Sequence, residues 1–268
     1  MRRAVFAIIG RELARMLRQR GRLVAAMVRP LIWPFVIRGG FQALLVGLGA
    51  DDYKRFMVPG LLCMVLLFGA MLASLSLVYD KESGVMRMLV IAPFPHYAIV
   101  LARTLSAAIA GLAQAAMLMV LLAALGFLSL PASPALLVLA LVMTAITCAA
   151  TGMLIAVFSK TLDNFAVIMN FVIFPMFFLS GALYPLAHLP AALKTLALAN
   201  PFSYGVDLMK HGILGGGGGR FGPDIPVATD VAVMLAFTAV ALAVACLRFS
   251  RAPVIERLAQ ALSKPRRG

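Results

Sequence analysis

Apolar residues run through this chain in long blocks rather than alternating with polar ones. Six blocks approach or exceed the roughly 20 residues that a membrane-crossing helix needs: 24–48, 57–79, 104–128, 134–158, 165–184 and 230–249. Backbone groups in hydrocarbon must be paired within their own segment, and an outward-facing barrel strand would show period-two alternation. The six blocks are neither short nor alternating, so the pattern predicts an all-α integral membrane protein with six transmembrane helices.

Two regions depart from simple spans. Block 165–184 carries Pro175 and the Ser180–Gly181 pair, and Pro185 and Pro190 follow it. The next apolar stretch, 191–199, is too short to cross and ends at Asn200–Pro201. This predicts a re-entrant hairpin in the outer leaflet, where surrounding protein must cover the irregular backbone. At the other end of the chain, Phe6, Ile9, Leu13 and Leu17 recur at helical spacing opposite an arginine-rich face. Residues 1–22 therefore read as an amphipathic interfacial helix, for which membrane anchoring and a part in coupling are both open. They lack the uninterrupted apolar core and small-residue cleavage site of a secretory signal.

Composition strengthens the membrane reading. Hydrophobic residues make up 63% of the chain and charged residues 13%, and the mean hydropathy is +1.00. One globular core cannot hide so much apolar surface. A net charge of +14 would point a soluble chain toward nucleic acid. Here the basic residues flank apolar blocks, and 18 of the 24 Lys and Arg fall on one side if both termini are cytoplasmic. The partner this charge implies is membrane lipid with anionic headgroups, not nucleic acid. The expected organisation is an interfacial helix over 1–22, a six-helix domain over 23–250 and a basic cytoplasmic tail over 251–268.

Candidate chemistry is sparse. Cys63, Cys148 and Cys246 lie in separate blocks without metal-ligand spacing and read as small apolar residues. His96, His188 and His211 form no HExxH or paired-ligand pattern, so no metal site and no catalytic residue is expected. The run Gly215 to Gly219 is followed by Arg220 and Phe221 rather than by the Lys-Ser/Thr of a phosphate loop. A flexible linker on the outer face is expected there, and no ATP binding by this chain. Arg38 lies inside the first block, where an ionisable group either faces an interior cavity or snorkels to a headgroup, and both readings stand. Gly111, Ala115, Gly126, Ala149 and Gly152 are small residues on predicted helix faces that permit close packing with another helix.

Between the second and third blocks lies DKESGVMRMLVIAPFPHYAIVLAR, charged at first and then amphipathic. Asp80, Lys81 and Glu82 form a polar exit from the span, and Val85, Met86 and Leu89 share one helical edge. Such an edge suits the groove of a soluble partner, with Arg87 as a charged contact, or the surface of the lipid.

That stretch, together with FMVPGLL, VFSKTLDNFAVIMNFVIFPMFFLSGALYPLAHLP and NPFSYGVDLMKHGILGG, resembles the membrane subunits of ABC-2 type exporters, which include drug, nodulation-factor and polysaccharide export permeases. The resemblance covers nearly the whole chain. It implies an ABC-2 type exporter fold whose cytoplasmic coupling helix comprises Glu82, Ser83, Gly84, Val85, Met86, Arg87, Met88 and Leu89. It also implies two copies of a separate ABC ATPase subunit, which hold the ATP and magnesium, and a second permease subunit, a homodimer or a related pair. This chain would carry no cofactor and would not be an enzyme. Its expected role is outward movement of an amphipathic, drug-like or lipid-linked substrate across the bacterial inner membrane, with Arg38, Phe178, Ser180 and Tyr184 expected along the substrate path. An ATP-independent secondary transporter or channel is the alternative. It would normally place acidic groups within the spans, where this chain has almost none.

Overall fold

A computed structural model describes residue 10 and residues 50–86, 95–128, 130–215 and 222–263. Every regular element among them is helical: α1 (Ala50–Glu82), α2 (His96–Ala124), α3 (Pro134–Phe158), α4 (Leu162–Phe178), a 3-10 turn (Leu186–His188), α5 (Ala191–Ala199), α6 (Pro201–Leu214) and α7 (Val227–Ser263). The expected first span, the amphipathic N-terminal helix and Arg38 lie outside the described residues, as do Arg87, Met88, Leu89 and most of the glycine run.

Four of the described helices are long and apolar enough to cross a membrane: Arg55–Glu82, Tyr97–Ala124, Pro134–Phe158 and Val227–Ser250. Local chemistry sets several of their ends. Pro134 opens α3 directly after Ser133, whose hydroxyl accepts from the Leu136 N–H at 3.4 Å. Thr161 caps α4 in the same way, accepting from the Asn164 N–H at 3.2 Å.

The bundle is organised around α1. Of its most apolar window 78% is buried within the protein, against 22% for α7, so α1 is the core helix and α7 the peripheral one. The helix α1 packs against α2, α3, α4 and α6, while α7 lies against α2, α3 and α6. Close approach between α1 and α3 depends on Gly152, where a Cβ would sit 2.7 Å from Ser74 Oγ and 3.1 Å from Met71 Cα. Gly111, Ala115 and Ala149 are likewise buried inside this one chain. Gly126 is not on a helix face: it follows the end of α2 with φ +73°.

The structure differs from the sequence expectation at several other points. The fifth block yields a helix of 17 residues ending at Phe178, about 26 Å long. The chain then turns, so Ser180 and Tyr184 lie beyond the helix. The third helix begins at His96, eight residues before the expected start, because Arg103 is neutralised by Asp80 and can be included in the helix. The last helix continues to Ser263, into the stretch expected to be a separate tail.

The region after Pro190 contains a second helix that hydropathy did not reveal. Helix α6 is buried over Phe202–Lys210 despite Asp207 and Lys210, since these charges are paired with one another and with Asp224. Asn200 joins α5 to α6 and to the rest of the bundle. Its Oδ1 accepts from the Phe202 N–H at 3.1 Å, and its Nδ2 donates to the Met176 carbonyl at 2.7 Å. At the far end of α6, the N–H groups of Ala132 and Ser133 donate to the carbonyls of Ile213 and Gly212, fastening α6 to the start of α3.

Candidate coupling and transport site

At the C-terminal end of α1, three consecutive side chains reach three different helices. Asp80 pairs with Arg103 of α2, and both are buried. Arg103 also donates to Ser76 Oγ at 2.9 Å. Lys81 Nζ donates to the carbonyls of Ala156 and Val157, each at 2.8 Å, and of Ser159 at 3.2 Å. These are acceptors left without intrahelical partners at the end of α3, where a cation also meets the negative end of the helix dipole. Glu82 Oε2 accepts from the Leu162 N–H at 3.2 Å, supplying an anion at the first turn of α4.

Glu82 is thus the last residue of α1 rather than the first of a separate helix. Ser83 closes the turn by donating its N–H to the Tyr79 carbonyl at 2.9 Å. Gly84 has φ +77°, a conformation that favours glycine, and nothing lies within 4 Å of where its Cβ would be. Helical backbone resumes at Val85 and Met86, both half-buried, with Met86 packed on the core. The polar exit and the apolar edge read from the sequence are therefore separated by a glycine joint.

Phe178, Ser180 and Tyr184 are brought together in the turn after α4. The Tyr184 hydroxyl donates to the Phe178 carbonyl. Ser180 Oγ donates to the Phe177 carbonyl at 2.7 Å and accepts from the Ala182 N–H at 3.3 Å. Ser180 is buried, whereas the Phe178 ring is 43% exposed and stacks on Phe174 with centroids 6.3 Å apart. The two polar side chains therefore shape the turn, and Phe178 presents the accessible surface. Gly60 of α1 lies directly against this turn, where a Cβ would collide with the Ala182 carbonyl.

A second cluster, at the opposite end of α1, escaped the sequence reading. Lys210 lies 3.9 Å from Asp207 Oδ1 and 3.6 Å from Asp224 Oδ2, with its ammonium 5.1 Å from the centre of the Phe56 ring. Asp207 accepts from the N–H groups of Asp224 at 2.8 Å and Ile225 at 2.9 Å. Burial raises its carboxyl above the ordinary range, opposed by those backbone donors and by Lys210. His211, one of the histidines without a motif, has its Nε2 2.8 Å from the Ile225 carbonyl. Only the i,i+3 and i,i+4 spacing of Asp207 with Lys210 and His211 was visible in sequence. Asp224 and Asp230 come from beyond the glycine run.

Comparison with known proteins agrees with this architecture. Residues 3–214 match the family described as ABC-2 type transporter. The chain is similar to the inner membrane transport permease YadH of Escherichia coli K12, with 28% identity covering 80% of this chain and 83% of that protein. It is also similar to nodulation protein J of Rhizobium leguminosarum bv. trifolii, with 28% identity covering 72% and 74% respectively. A probable multidrug ABC transporter permease of Escherichia coli K12, YbhR, is 26% identical over 60% of this chain and 44% of its own length. With most of its length matched and its described helices arranged as a multi-pass membrane bundle, the chain belongs to the ABC-2 type transporter family.

Proposed function

We propose that this protein is the membrane permease subunit of an ATP-driven ABC-2 exporter in a bacterial inner membrane, with ATP and magnesium bound by a separate ATPase subunit. The observation that carries this reading is the set of ties made by Asp80, Lys81 and Glu82. A partner that grips the segment from Glu82 to Leu89 displaces the end of α1 and, with it, the ends of α2, α3 and α4. ATP binding drives transport only if the partner favours one packing of these helices over another. Stiff polar links at the loop are what such a differential requires.

The proposed assembly contains two ATPase subunits and two permease subunits, with both termini of each permease in the cytoplasm and the α5–α6 pair as a re-entrant hairpin at the outer leaflet. The cargo is amphipathic, drug-like or lipid-linked and moves outward. Its path includes Arg38 and the accessible ring of Phe178, while Ser180 and Tyr184 hold the turn that presents that ring.

The test is reconstitution. In proteoliposomes containing this chain and its cognate ATPase, an amphipathic fluorescent probe is expected to move only when ATP is hydrolysed. Movement by this chain alone would favour a secondary transporter instead. Orientation is read separately from a Ser83→Cys variant: a membrane-impermeant maleimide should label it from the cytoplasmic side, and labelling from outside would overturn the coupling assignment.

A further inference from the structure

We propose that Asp207, His211 and Asp230 form a binding site for one divalent transition-metal ion that joins α6 to the start of α7. Each residue offers one ligand atom, and these atoms all lie within 4.8 Å of one another. A tetrahedral ion bound at about 2.1 Å holds its ligands about 3.4 Å apart, so small side-chain rotations complete the site. One imidazole and two carboxylates suit ions of the zinc and manganese kind, not the thiolate-seeking metals.

Two observations favour a cation at this place. Asp230 is fully buried, and neither carboxylate oxygen has a hydrogen-bond partner. Its place in the first turn of α7 gives it the positive end of a helix dipole but no direct donor. An ionised carboxylate in that position is strongly disfavoured unless a positive charge joins it. The second observation is the charge balance. Among the described residues, Asp207 and Asp224 both lie within 4 Å of Lys210, and Asp230 joins Asp207, so three carboxyl groups share one ammonium. A divalent ion held by Asp207 and Asp230 lets both carboxylates be ionised together.

His211 fits the role after a rotation that turns its Nε2 from the Ile225 carbonyl toward the two carboxylates. Its Nε2 lies 3.7 Å from Asp207 Oδ2 and, facing the Ile225 carbonyl, donates its proton there. When the ion takes the Nε2 lone pair, that proton moves to Nδ1, so the neutral ring binds with no net proton release. The consequence is structural: the ion fastens the buried helix that follows the Asn200 turn to the last span.

The test uses the full chain in detergent, stripped with a chelator and titrated with Zn2+ and separately with Mn2+. The wild type is expected to retain one ion per chain after gel filtration, by elemental analysis, and to unfold at a higher temperature with the ion than without. Asp230→Asn and His211→Gln should each lose at least about tenfold in affinity together with the thermal shift. Asp163→Asn, an exposed acid in the first turn of α4, should bind as the wild type does. Because Asp230→Asn removes a buried charge, its stripped form should be at least as stable as the stripped wild type, which separates loss of the metal from loss of folding. The proposal fails if the stripped wild type takes up neither ion, or if both variants bind as tightly as it does. Such a failure leaves the permease reading intact, since nothing here depends on ATP or transport.

Discussion

Lys81 Nζ lies 2.8 Å from the Ala156 carbonyl oxygen, so the last turn of α3 is closed by a side chain from α1. Lys81→Met keeps the aliphatic stem and removes the donors. A charge-assisted cap of this kind contributes about 1.5–3 kcal/mol, and the variant should be destabilised by that order in thermal unfolding. It should also hydrolyse ATP with its partner while transporting less cargo per ATP. An unchanged transport ratio would show that the α1–α3 tie plays no part in coupling.

The buried Asp80–Arg103 pair gives a sharper stability test. Asp80→Asn leaves Arg103 charged in the interior and should cost about 3–5 kcal/mol. Replacing both, as Asp80→Leu with Arg103→Met, should restore most of that loss, because apolar pairs of similar volume avoid the desolvation cost. Denaturant unfolding of Asp80→Leu, Arg103→Met and the double variant measures the coupling directly.

The same pair shows what was legible in the sequence. The α3 boundaries, 134–158, follow from the apolar block alone, and the helix occupies those residues. The start of α2 and the whole of α6 were hidden, since a hydropathy pattern counts Arg103, Asp207 and Lys210 as polar. In the fold Arg103 pairs with Asp80 on another helix, and Lys210 pairs with Asp207 and with Asp224 beyond the glycine run, and this pairing lets the residues lie inside. The polar exit Asp80–Glu82 was visible as a charged tripeptide, but its targets were not, because two of the three are backbone groups without a residue signature.

Helix spacing at the α1–α3 contact predicts a steric outcome. Gly152→Val would press its side chain against Ser74 and the Met71 backbone. Overpacking of this sort costs about 1–3 kcal/mol. A lower unfolding midpoint is expected, with little effect from Gly10→Ala, where nothing lies within 4 Å.

The turn after α4 separates surface from scaffold. Phe178→Ala should alter the cargo dependence of ATPase stimulation with a smaller drop in the unfolding midpoint than a fully buried ring would cause, because its ring is partly exposed. Ser180→Ala should lower the midpoint, by about 1 kcal/mol in stability, through loss of its hydrogen bonds to Phe177 and Ala182. Equal effects of both variants on cargo stimulation would place Ser180 in contact with cargo.

The ties from Lys81 and Glu82 end on the main chain: the carbonyls of Ala156, Val157 and Ser159 and the amide of Leu162. Every residue type supplies a carbonyl, and every one but proline supplies an amide proton. Evolution is therefore free to exchange side chains at those receiving positions while the lysine and glutamate stay constrained. Across homologues, these contacts should leave invariant residues on one partner and no correlated substitutions on the other.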